Sequence, residues 1–128
     1  MSAIFGIGID IEEIARFAQL TEQWGLRFER RVFTEEEIRY CNGKILPAQH
    51  YAARFAAKEA FSKAIGTGWT GAFRWTDVEV RNDSAGKPSF VLHNGLSDQF
   101  GRLGIHLSLS HSGAYVAAMV VIQQDHME

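Results

Sequence analysis

The segment Arg54-Phe55-Ala56-Ala57-Lys58-Glu59-Ala60-Phe61-Ser62-Lys63-Ala64-Ile65-Gly66-Thr67-Gly68 places cations and a carboxylate immediately before a loop of permissive backbone and exposed amides. That combination suits a polyphosphate together with a divalent cation. On a helix, Phe55, Glu59, Ser62 and Lys63 fall on one broad face, and Phe61 and Ile65 on another. Single pairs also have plainer readings. Glu59 and Lys63 form an i,i+4 ion pair worth only about 0.2–0.5 kcal/mol on a solvated surface, and Arg54 and Lys58 are like charges at the same spacing. The order of a P-loop is absent, because the glycines end this helix rather than begin one.

Two further segments carry chemistry-bearing residues. Gly6-Ile7-Gly8-Ile9-Asp10 lies in an alternating run that predicts a strand over 3–11, with Phe5, Ile7, Ile9 and Ile11 on the core side and Ile4, Gly6, Gly8 and Asp10 opposite. A bulky ligand could lie over the two glycines while Asp10 holds a hard cation beside it. The ordinary alternative is a buried strand whose last residue caps a helix. Leu107-Ser108-Leu109-Ser110-His111-Ser112 predicts a strand with a face of small hydroxyls ending at a histidine, and its plain reading is a solvated edge. It is not a hydrolase elbow, since Gly-x-Ser-x-Gly is missing. His50, His93, His106 and His126 show no metal-ligand spacing.

Several elements must position these residues. A helix is expected from Glu12 to about Gln23, and Thr34-Glu35-Glu36-Glu37 is a capping box opening a short helix that ends near Asn42-Gly43. Pro47 suits the first turn of a long helix, His50 to Ile65, stopped at Gly66. A hairpin follows, 75–80 and 89–93, around the turn 82–86. A brief helix over 95–103 and strands over 105–110 and 114–123 complete the chain. The expected fold class is α+β, a compact single domain over 1–128 with a mostly antiparallel sheet packed on the long helix.

Composition sets the outer limits. Hydrophobic side chains make up 46% of the 128 residues, enough for one core without a disulfide, and the lone Cys41 could not close one. A formal charge of −2 argues against a nucleic-acid coat but not against a local anion site. No apolar run has the length of a membrane span, and the first residues lack a basic signal-peptide region, so a cytoplasmic protein is expected.

Taken in order, the three segments resemble those of the holo-[acyl-carrier-protein] synthases, the short bacterial-type 4′-phosphopantetheinyl transferases, over nearly the whole chain. The resemblance implies Mg²⁺-dependent transfer of phosphopantetheine from coenzyme A to a serine of an acyl carrier protein, releasing adenosine 3′,5′-bisphosphate. It implies Asp10 and Glu59 as metal ligands alongside pyrophosphate oxygens and water, with Glu59, or a metal-bound water beside it, as base. Arg54, Lys63, His111 and the loop Gly66, Thr67 and Gly68 would hold the coenzyme A phosphates, with Lys58 a further member. Homotrimers with interfacial sites are implied, His111 serving a neighbour. Arg16, with Arg27, Arg30 and Arg31, resembles the docking surface for the acidic carrier. The larger, two-lobed transferases bring a third metal carboxylate; none is assigned here, so water is expected to complete the shell. A non-catalytic trimer that keeps coenzyme A or a nucleotide is the alternative.

Overall fold

The computed structural model describes residues 2–66 and 73–125, so Thr67 and Gly68 of the expected phosphate loop lie outside the described residues. In chain order the elements are β1 (Ser2–Glu13), α1 (Ile14–Trp24), α2 (Leu26–Val32), α3 (Glu35–Asn42) and α4 (Pro47–Ile65), followed after a 3-10 turn by β2 (Val78–Asn82), β3 (Pro88–Leu92), α5 (Asn94–Phe100), β4 (Gly104–Ser112) and β5 (Tyr115–Asp125). The strands form two antiparallel sheets: a three-stranded one in the order β1-β5-β4, and the β2-β3 hairpin. Helix α4 lies on the larger sheet, and Ala56, Ala57, Ala60, Phe61, Val116, Ala118, Val120 and Ile122 are buried in the core. The α+β class and the long helix stand as expected; α2 was not expected, and β1 continues two residues past the expected strand end.

The orientation of β1 reverses the expectation. Ile7, Ile9 and Ile11 are 62%, 63% and 65% exposed, whereas Gly6 and Gly8 face α4. A Cβ on Gly8 would stand 1.8 Å from the Ala60 carbonyl oxygen, and one on Gly6 at 1.8 Å from that of Ala64. No ligand lies over these glycines, because the helix backbone occupies that side. Absence of side chains on one face of the strand lets helix and sheet approach closely, and the isoleucines are left on the outer face. There they run alongside Val121, Met119 and Ala117 of β5, with His106, Ser108 and Ser110 of β4 beyond.

A second correction concerns Lys58. Its ammonium is fully buried and donates to the Val32 carbonyl at 2.8 Å, the Trp75 carbonyl at 3.0 Å and Glu37 Oε1 at 2.7 Å. With three donors and three protein acceptors, it has nothing left to offer a phosphate. Glu37 is the capping-box residue expected at the start of α3, and its second oxygen accepts from the Val80 amide at 2.8 Å. Burial draws the Lys58 pKa below the usual lysine value, with Glu37 opposing. Lys58→Met is expected to destabilise the fold by about 3–5 kcal/mol, because it strands a buried carboxylate. Urea denaturation measures this; unchanged stability would instead free Lys58 for a ligand.

Candidate active site

The strand period carries the α4-facing side of β1 from Gly6 and Gly8 on to Asp10 and Glu12, while the helix period places Lys63 one turn after Glu59. Lys63 Nζ donates to the Ile9 carbonyl at 2.9 Å and lies 3.3 Å from Asp10 Oδ1. Oδ2 of Asp10 is buried without a hydrogen-bond donor, and a proton on Glu12 could supply one. Glu12 feels the charges of both Asp10 and Glu59, so three carboxylates share this end of the sheet. Such a set repels itself, and a divalent cation turns the repulsion into binding. Among the described residues no group of three or more His, Cys, Asp or Glu side chains is arranged to hold a metal ion by itself.

The cluster perturbs Glu12 strongly. Burial, then a hydrogen bond with Asp10 and its charge, raise the pKa from 4.5 to about 7; Glu59 adds to the rise and Arg16 opposes it. An acid with a higher pKa in the folded state binds its proton more tightly there, so the associated stability is fully present below pH 4.5 and is lost as pH rises through about 7. Thermal melts in chelator are therefore expected to show a fall in Tm between pH 5 and pH 8 that Glu12→Gln reduces and added divalent cation reverses.

A separate basic group lies at the C-terminal end of β4, where His111 stands across β5 from Glu12. Arg54, nearly buried, donates through Nη2 to Asn82 Oδ1 at 2.7 Å and stands 4.0 Å above the Tyr40 ring, while its buried Nε lacks a hydrogen-bond partner. With His50, Ser110 and His111 it lines a cleft of about 280 Å³. Burial lowers the His50 pKa, and the charges of Arg54, Lys44 and His111 depress it further. Asp10, Glu59 and Lys63 do not line it. Gly66 ends α4 in the left-handed conformation at φ +83°, and its amide already donates to the Lys63 carbonyl, so that N–H is not offered to phosphate as expected.

The expected docking arginines divide into two groups. Arg27 and Arg31 flank an apolar groove formed by Leu20, Trp24 and Phe28, while Arg30 pairs with Glu35 at 3.4 Å. Arg16 lies apart on α1, bonded to Glu12 at 2.9 Å and placed over the rings of Phe17 and Phe55.

Two residues of these sites were not singled out from the sequence. Glu12 is one; its i,i+2 spacing from Asp10 puts both carboxylates on one face once the strand is carried through to Glu13. His50 is the other, one helical turn before Arg54.

Comparison with known proteins completes the description. Residues 6–120 match the 4′-phosphopantetheinyl transferase superfamily. The holo-[acyl-carrier-protein] synthase of Geobacter sulfurreducens is 48% identical over 124 residues, covering 94% of this chain and 98% of its own, and that of Koribacter versatilis is 45% identical over 123 residues with the same shares. The holo-[acyl-carrier-protein] synthase structure from Neisseria meningitidis matches with a TM-score of 0.85 at 36% identity, over 94% of this chain and 98% of that one. The Bacillus anthracis structure, in complex with CoA (3′,5′-ADP), matches at 0.80 and 38% identity, over 95% and 98%.

Proposed function

The chain belongs to the 4′-phosphopantetheinyl transferase superfamily and is a holo-[acyl-carrier-protein] synthase, a transferase; from that premise we propose that Asp10 and Glu59 hold Mg²⁺ at the pyrophosphate of coenzyme A. The reaction moves 4′-phosphopantetheine from coenzyme A to a carrier serine and releases adenosine 3′,5′-bisphosphate. The observation that carries the metal reading is the buried Asp10 Oδ2, which has no hydrogen-bond partner once Glu12 is ionised, set with Glu12 and Glu59. Hard carboxylate oxygens in an incomplete shell fit Mg²⁺, which keeps water and substrate phosphate among its ligands. Bound there, Mg²⁺ supplies neutralisation of the charge that builds on the pyrophosphate oxygens.

The chain's own residues do the rest. Lys63, whose ammonium is already fixed beside Asp10, turns toward a phosphate oxygen. Glu59 accepts the proton of the carrier hydroxyl as its oxygen bonds to the phosphorus nearer the pantetheine and the bond to the departing phosphate breaks. Arg54 and His111, joined by His50, take a further phosphate group of coenzyme A in their cleft.

We assign the working form as a homotrimer with sites shared between copies. Two observations support this reading: the outer sheet face leaves Ile7, Ile9, Ile11 and Met119 in water, and the Arg54 cleft is lined by none of the carboxylates. Ile9→Arg is expected to shift sedimentation from trimer to monomer and to lower carrier loading with it. Cytoplasmic location belongs to the same reading; among the described residues no helix is long and apolar enough to cross a membrane. The exposed arginines of α1 and α2, with their apolar groove, suit an acidic carrier helix. A non-catalytic coenzyme A-binding trimer is not favoured. Mass spectrometry of apo carrier incubated with the protein, coenzyme A and Mg²⁺ is expected to show the phosphopantetheine increment, which is absent when Mg²⁺ is chelated. Binding of coenzyme A without any increment would overturn the reading.

A further inference from the structure

Two acceptors compete for the guanidinium of Arg54. Nη2 donates to Asn82 Oδ1 at 2.7 Å and to the Val80 carbonyl at 3.3 Å, while Nε, buried without a hydrogen-bond partner, stands 3.9 Å from Glu37 Oε2. The cation is thus drawn to a neutral amide and held off its carboxylate neighbour. Asn82 is itself fixed. It ends β2, and its Nδ2 donates to the Gly86 carbonyl at 3.1 Å across a hairpin turn that Asp83 Oδ1 closes by accepting from the amides of Ala85 and Lys87. A carboxamide has one donor end and one acceptor end, so bonding Gly86 through nitrogen turns the oxygen toward Arg54. The Tyr40 ring, 4.0 Å from the guanidinium carbon, holds the group from another side. Both Asn82 and Arg54 line the cleft that His50 and His111 share.

We propose that Asn82 is a specificity-determining residue: by holding Arg54 off Glu37 without cancelling its charge, it sets the preference for coenzyme A over the same molecule lacking the 3′-phosphate. With the pyrophosphate assigned to the carboxylates, the 3′-phosphate is the group left for this cleft, and the role of Asn82 rests on that reading. A carboxylate at position 82 would anchor the guanidinium equally well but would neutralise it, and the phosphate would then have to displace a charged partner. An apolar side chain would leave Nη2 with only the long bond to Val80, and the cation would relax toward Glu37, away from the cleft. The neutral acceptor avoids both outcomes. Asn82 is accordingly a positioning residue that acts through Arg54.

Steady-state carrier loading is measured with coenzyme A and with 3′-dephospho-coenzyme A for the wild type, Asn82→Asp, Asn82→Leu and Arg54→Gln, and the preference is the ratio of the two kcat/KM values. Asn82→Asp is expected to lower the preference about tenfold and Asn82→Leu about threefold. Both losses should lie in the KM for coenzyme A, with kcat and the KM for dephospho-coenzyme A unchanged. A merely structural Asn82 would weaken loading from both substrates alike. Wild-type preference in either Asn82 variant, or equal losses on the two substrates, overturns the role of Asn82. Arg54→Gln reports on the reading beneath: it is expected to abolish the preference. A preference retained there, or absent from the wild type, overturns the assignment of the 3′-phosphate to the Arg54 cleft.

Discussion

Glu59→Gln is expected to lower single-turnover loading of the carrier about a thousandfold, equivalent to about 4 kcal/mol of transition-state stabilisation. On the proposed reading, the amide matches the carboxylate in shape but loses both the charge that would attract Mg²⁺ and the basicity that would accept the serine proton. Removing one charge from a set that includes Asp10 and Glu12 relieves repulsion, so the melting temperature is expected to stay level or rise. That pairing of lost turnover with retained stability distinguishes a site residue from a structural one. Loading followed by mass spectrometry across a range of Mg²⁺ concentrations reads the two roles separately: a weakened ligand is partly rescued by high Mg²⁺, a missing base is not. Unchanged turnover would remove Glu59 from the site.

Gly8→Ala is expected to cost about 3 kcal/mol or more. Its Cβ would stand 1.8 Å from the Ala60 carbonyl oxygen and 3.0 Å from the Ala64 amide nitrogen, both backbone atoms of a helix that cannot swing aside as a side chain can. Either α4 lifts from β1 or the strand shifts, and Asp10, two residues along the same face, moves with it. Chemical denaturation and carrier loading should therefore fail together. A ligand lying over the glycines would give a different result, a raised KM with stability intact.

Much of this arrangement is legible from local sequence. The Thr34–Glu37 capping box forms as read, because its two hydrogen bonds depend only on neighbouring residues. The alternation of β1 shows that its two faces differ, but periodicity does not say which one meets the core. The rule that apolar faces turn inward assigns the isoleucines to the core, whereas the close approach of α4 requires glycine there. The isoleucines are thereby left exposed on the outer face. Glu12 is hidden in the sequence for a boundary reason: starting the helix at that residue removes it from the strand face it shares with Asp10. Lys58 and Lys63 are both cations on one helix, five residues apart and so on different sides of it. Which one is buried depends on Glu37, which reaches Lys58 across a separation of 21 residues.

That same carboxylate bears on how the molecule opens. Glu37 and its bonded Lys58 connect the end of α2 at Val32, the cap of α3 at Thr34, the turn at Trp75 and the β2 amide of Val80. Detaching any one of these segments leaves a charge or a backbone polar group unpaired in the interior, a penalty shared among all of them. Partial opening around α3 is thereby suppressed. The end of α2, α3, α4 and the hairpin are expected to exchange their amides as one cooperative unit, which hydrogen exchange measures.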